Sequence, residues 1–119
     1  ITASTLNGQG GKLIGNGALR IDAGSIDHRD ATLVAQQVTI QAGSLDNRGG
    51  GIGQTGSGSM TLGIGQLLDN TGGRIESNGD LVVTAGSVLN QQGLLSAVQQ
   101  AALTVTGKLD NTAGSVAAG

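Results

Sequence analysis

The chain has 119 residues, 23 of them glycine, with no proline, no cysteine and no Phe, Tyr or Trp. Its net charge of −2, from eight acidic and six basic residues without a Lys/Arg cluster, excludes a partner held by charge alone, such as nucleic acid or a heparin-like polyanion. Disorder is excluded too, because only 12 % of the residues are charged and the aliphatic ones are evenly spaced. No stretch approaches the ~20 apolar residues of a membrane helix. The opening ITASTLNGQG has neither the basic start nor the apolar run of a signal peptide.

In chain order the aliphatic residues fall into a repeat. Ile1-Thr2-Ala3 matches the end of an alternating pair, so the chain enters the pattern partway through. The first coil then runs Leu6, Leu13 and the pair Leu19/Ile21, closing on the corner DAGS. The second runs Ile26, Leu33 and Val38/Ile40, closing on QAGS. The third has Leu45, Ile52 and Met60/Leu62, and the fourth Leu68, Ile75 and Leu81/Val83, closing on TAGS. The fifth is assigned Leu89, Leu95 and Leu103/Val105, and the last Leu109 and Val116. Each leading aliphatic opens LDN or a near copy of it, at intervals of 20, 19, 23, 21 and 20 residues.

Three short alternating segments per coil, each followed by Gly, Asn or Asp, predict three strands and three corners. No such strand buries its apolar face alone, but stacking coil on coil pairs every strand in parallel with its copy. The expected fold is all-β, a right-handed parallel β-helix (β-solenoid) of about 5–6 coils, each adding about 4.8 Å to the axis. A narrow interior suits Leu and Val and has little room for aromatic rings. Proline is missing because inner coils donate their N–H groups to a neighbour. SAVQQAALTV, residues 96 to 105, has helical propensity, yet its register makes it corner and then strand.

The glycine-rich stretch Gly51-Ile52-Gly53-Gln54-Thr55-Gly56 is a formal dinucleotide fingerprint, but Ile52 falls in the inward slot of Leu33 and Ile75, and the sequence that follows is a poor helix. Its glycines read as corner residues, and no cofactor is expected. The connection between the second and third segments lengthens to eight residues from Ile52 to Met60 and from Leu95 to Leu103. Projecting loops can bind. Gln54, Thr55, Ser57 and Ser59, with Ala97, Gln99 and Gln100, are therefore candidate surface-loop binding residues.

After each leading aliphatic stands Asn7, Asp27, Asp46, Asp69, Asn90 or Asp110, a column that reads as Asx caps on the corners rather than a cation site. The next column is read as Gly8, His28, Asn47, Asn70, Gln91 and Asn111, in which stacked amides can form a ladder. His28 reads as a surface substitution in that amide slot. With one histidine, no cysteine and no paired carboxylates, no catalytic constellation and no metal site emerge.

GSLDNRGG, LLDNTGGRIESNGDLVVTAGS and KLDNTAGS together resemble the filamentous-haemagglutinin repeats of large exoproteins secreted by Gram-negative two-partner systems. The resemblance spans essentially the whole chain, with departures at Ile26–Ala31 and at Gln91–Leu94. It implies a secreted or cell-surface fibre and an outer-membrane two-partner secretion transporter as partner. It also implies one of three roles: adhesin shaft, host glycan- or receptor-binding module, or stalk of a contact-dependent growth inhibition toxin. On this reading residues 1–119 are one repeat segment cut from a longer array, with end-to-end self-association as a further expectation.

Overall fold

The structure, a computed structural model, describes residues 1–118. All regular elements in it are strands, and every strand pair is parallel. In chain order they are β1 (Thr2–Asn7), β2 (Lys12–Ile14), β3 (Ala18–Asp27), β4 (Thr32–Ala35), β5 (Gln37–Asp46), β6 (Gly51–Gln54) and β7 (Ser59–Asp69). They continue as β8 (Arg74–Ser77), β9 (Asp80–Leu89), β10 (Leu94–Ala97), β11 (Ala101–Val105), β12 (Leu109–Asp110) and β13 (Ser115–Ala118). The odd-numbered strands β1 to β11 form one sheet, with β12 also on β9. The second sheet runs β2-β4-β6-β8-β10-β13. Partners such as Leu33↔Ile52 and Ile21↔Ile40 lie about one coil apart, which makes a β-solenoid of about six turns.

The three segments per coil are present, but one of the three corners does not interrupt the strand. At the AGS corner the chain stays extended, and both flanks keep pairing, Ala23↔Ala42 before it and Ser25↔Ser44 after it. The third segment and the next leading segment thus merge into one bent strand of about ten residues, and they separate only in the last coil, as β11 and β12. A glycine sits at the bend because the coils touch there: a Cβ on Gly24 would meet Ser4 O at 2.6 Å, and one on Gly107 would meet Gly86 O at 2.6 Å.

The interior is the aliphatic column that alternation predicts. Leu33, Ile52, Ile75 and Leu95 from the second segments meet Ile40, Leu62 and Val83 from the third, all at most 2 % exposed. Fully burying each such side chain stabilises the fold by about 1.5–3 kcal/mol. The expected register fails in two places. In the fifth coil Val88, not Leu89, pairs with Leu68 and is buried, so Leu89 takes the outward slot of Asp69. Two adjacent aliphatics offered either choice, and the polar residue that must follow in the next column decided it. In the same coil Ala101 and Leu103 pair with Leu81 and Val83, so the inward pair is Ala101/Leu103 rather than Leu103/Val105. The connection from Leu95 therefore has ordinary length, and the second enlarged loop does not exist.

Candidate functional site

Two places depart from bare repetition: the corner after each leading segment, and the enlarged connection between β6 and β7. The formal dinucleotide fingerprint lies across the latter. Its Gly51–Gln54 portion is β6 and leads through a turn into β7, with no helix to receive a phosphate.

At the corner the first Asx column caps the chain. Asn7, Asp27, Asp46, Asp69 and Asp110 each accept, through Oδ1, the backbone N–H two residues on, at 3.1–3.2 Å. Asn90 does not belong to this column, because the register shift at Val88 moves it one place along. The carboxylates are also laced with arginine. Arg29 Nη2 lies 2.8 Å from Asp27 and its Nε 3.9 Å from Asp46, while Arg48 Nη2 lies 2.7 Å from Asp46 and its Nε 3.8 Å from Asp69. The hydrogen bond from Arg29 holds the Asp27 carboxyl down at about 2, and the Arg48 hydrogen bond lowers Asp46. Two guanidiniums thus interleave with three carboxylates and offset most of their mutual repulsion. Sequence reasoning missed these arginines, although Asp-x-Arg recurs in successive coils at Asp27/Arg29 and Asp46/Arg48.

Behind the carboxylates runs the second column, now Gly8, His28, Asn47, Asn70, Asn90 and Asn111, with Asn90 in the place expected for Gln91, which is exposed. Asn47 Nδ2 donates to Asn70 Oδ1 at 2.7 Å, Asn70 to Asn90 at 2.8 Å, and Asn90 to Asn111 at 2.7 Å. Each of the three also donates to the carbonyl that opens the strand one coil above: Arg74 O, Leu94 O and Ser115 O, at 3.3, 3.1 and 3.1 Å. Asn47, Asn70 and Asn90 are fully buried, so these bonds replace water completely.

His28 is buried as well, at 7 % exposure, which corrects its expected surface position. Its Nε2 lies 3.1 Å from Gly51 O, the carbonyl in register with Arg74, Leu94 and Ser115. With Nε2–H donating there, the ring makes one of the two bonds an asparagine makes and omits the ladder bond. Asn47 Oδ1 is consequently buried with no partner among the described residues. Burial is the main cause that pushes the His28 pKa below its ordinary value.

In the enlarged connection Gln54 is 3 % exposed and points inward. Its Oε1 accepts the Val38 N–H at 3.0 Å, and its Nε2 donates to Gly58 O at 2.8 Å and Gly56 O at 3.2 Å. Gln37 Nε2 donates to Ser59 O. The extra residues pull the chain out of register beside Val38, and the Gln54 amide restores the missing acceptor. Thr55 and Ser57 are exposed on the loop, and Ser59 is exposed at the start of β7. Of the second candidate set, Gln99 and Gln100 are exposed on an ordinary corner, whereas Ala97 is buried in β10. Gln54 and Ala97 therefore cannot present side chains to a ligand. Among the described residues no group of three His, Asp or Glu side chains could hold a metal ion, and no helix is long and apolar enough to cross a membrane.

No curated protein and no solved structure matches the chain. The family model of the haemagglutinin repeat matches it twice, over residues 1–59 and 53–113. With the recurring LDN corners and the parallel coils described above, this match places the chain in the haemagglutinin repeat family.

Proposed function

We propose that the chain is a length of rigid shaft in a secreted fibre on a bacterial surface, one segment of a longer repeat array. The fibre would be exported through an outer-membrane transporter of a two-partner system and would hold a recognition or toxic domain away from the cell. The observation that carries this reading is continuity. Both parallel ladders run from the first coil to the last, and the polar columns between them serve the corners rather than a ligand. Recognition by the shaft itself is the second reading, favoured by the exposed Thr55 and Ser57 on the enlarged loop and by Ser59 where it enters β7.

Attachment of the purified segment to epithelial cells tests the choice. Absence of attachment supports the shaft. Attachment that disappears when the connection between β6 and β7 is shortened by two residues would transfer the function to the loop.

A further inference from the structure

Asparagine followed by glycine occurs three times, at Asn7-Gly8, Asn16-Gly17 and Asn78-Gly79. This dipeptide is chemically labile because the glycine nitrogen can reach the asparagine Cγ, and glycine has no side chain to hinder it. Attack requires a free nitrogen, a free carboxamide and room for the ring to close. Structure supplies or withholds each of these.

At Asn78-Gly79 all three are withheld. Asn78 Nδ2 donates to Thr55 O at 3.0 Å, and Gly79 N donates to Ser77 Oγ at 3.1 Å. Gly79 is itself buried against the carbonyls of Ser57 and Gly58. At Asn7-Gly8 the carboxamide oxygen accepts the Gln9 N–H at 3.1 Å, and Gly8 N donates to Asp27 O at 2.8 Å. Asn16 and Gly17 are different. Both are exposed, and neither the Asn16 amide nor the Gly17 nitrogen has a hydrogen-bond partner among the described residues. Nothing lies within 4 Å of a Cβ built on Gly17.

We infer that Asn16 is a site of spontaneous covalent modification, converting to aspartate and isoaspartate while Asn7 and Asn78 in the same folded chain stay intact. The Gly17 nitrogen loses its proton to base and bonds to Asn16 Cγ. The Cγ–NH2 bond breaks and ammonia leaves, giving a five-membered succinimide. Water then opens the ring. Cleavage at Cγ leaves aspartate, and cleavage at the main-chain carbonyl leaves isoaspartate, with the backbone routed through Cγ and one methylene longer. The modification reaches the next coil, because Gly17 O accepts the backbone N–H groups of Gln36 at 3.2 Å and Gln37 at 3.4 Å. A lengthened backbone displaces that acceptor and loosens the corner where β5 begins.

Ageing the purified chain in mildly alkaline buffer, followed by peptide mass spectrometry with fragmentation that separates the two isomers, tests this. Conversion at Asn16 is expected to outrun Asn7 and Asn78 by about tenfold or more in the folded chain, since the latter two need local opening first. In urea the three rates converge. Equal rates in the folded chain, or an Asn16 as protected as Asn78, would overturn the inference. Gly17→Val, which the open space accommodates, is expected to slow the reaction; an unchanged rate in that variant would overturn the succinimide route. In the isoaspartate form the Gln36 and Gln37 amides exchange faster with solvent, and unchanged protection would overturn the coupling to the next coil.

Discussion

Ala31 stands where every other described coil has glycine, and His28, three residues earlier, stands where the later coils have asparagine. The equivalent residues Gly11, Gly50, Gly73, Gly93 and Gly114 follow from the strand register. In the ladder coils the asparagine side chain folds under that glycine. A Cβ there would meet a backbone carbonyl of the preceding coil, His28 O for Gly50 and Asn47 O for Gly73, and also Oδ1 of the same coil, at 2.7 Å for Gly50 and 2.6 Å for Gly73. In the His28 coil no Oδ1 stands beneath the corner, and Ala31 is buried there, at 3 % exposure.

The pair is therefore expected to be energetically coupled. His28→Asn alone supplies a donor for Asn47 Oδ1 but drives the new carboxamide into Ala31. His28→Asn with Ala31→Gly gives the ladder another rung. A double-mutant cycle read by urea unfolding should show a favourable coupling of about 1–2 kcal/mol, the scale of one satisfied buried acceptor. Additive effects would mean that the two positions do not share the space beneath the corner.

Acidification should weaken the fold through His28. Burial lowers its folded pKa, so the unfolded chain binds the proton more readily than the folded one. The stabilisation is complete above the unfolded value of about 6.5 and is lost as pH falls through the lower folded value. Urea midpoints measured from about pH 7.5 down to pH 5 should decline, and the decline should vanish in His28→Asn/Ala31→Gly. Asp27, Asp46 and Asp110, whose hydrogen bonds lower their pKa, act only in stronger acid. Asp27, held at about 2, keeps its contribution above 3.8 and loses it as pH falls towards that lower value.

Gln54 should matter to stability rather than to binding. Gln54→Leu keeps most of the volume but strips the Val38 N–H and the Gly58 carbonyl of their partner. A loss of about 1–3 kcal/mol is expected, with faster hydrogen exchange at Val38. A variant as stable as the parent chain would show that water substitutes for the amide.

Three corners hold a non-glycine residue in the left-handed region. Gly10, Gly49 and Gly72 adopt φ of 65–72°, and the residues in register with them, Asp30, Gln92 and Ala113, adopt 55–56° with a side chain attached. Gln92→Gly should stabilise the chain by about 0.5–1 kcal/mol, the left-handed penalty less the backbone freedom glycine loses on folding. Thermal melting measures it directly.

The fold was legible because each coil repeats one pattern, so a residue misread in one coil is outvoted by the others. Leu33, Ile52 and Ile75 announce their inward slot by spacing alone. Val88 and Leu89 do not, since either could face in, and only the stacking of Asn90 on Asn70 settles the register. Ala101 was passed over because a methyl group gives a weak apolar signal beside Leu103. The side-chain roles were harder to read. Gln54 has the composition of a surface loop residue, and nothing in its neighbours says that the widened connection strands the Val38 N–H. Likewise, one histidine among five corner residues of Gly and Asn looks like drift, until the Asn47 carbonyl is found without a donor.

The asparagine file has a direction. Its donors all face the C-terminal coil and its acceptors all face the N-terminal one, whereas strand dipoles in the surrounding sheets largely cancel. Four carboxamides in series polarise one another, so the centre of the rod carries an axial dipole with its negative pole at Asn47 Oδ1. That pole abuts a neutral ring offering it nothing. The polarised series thus ends at Asn47, although the sheet around it runs on through the two coils before.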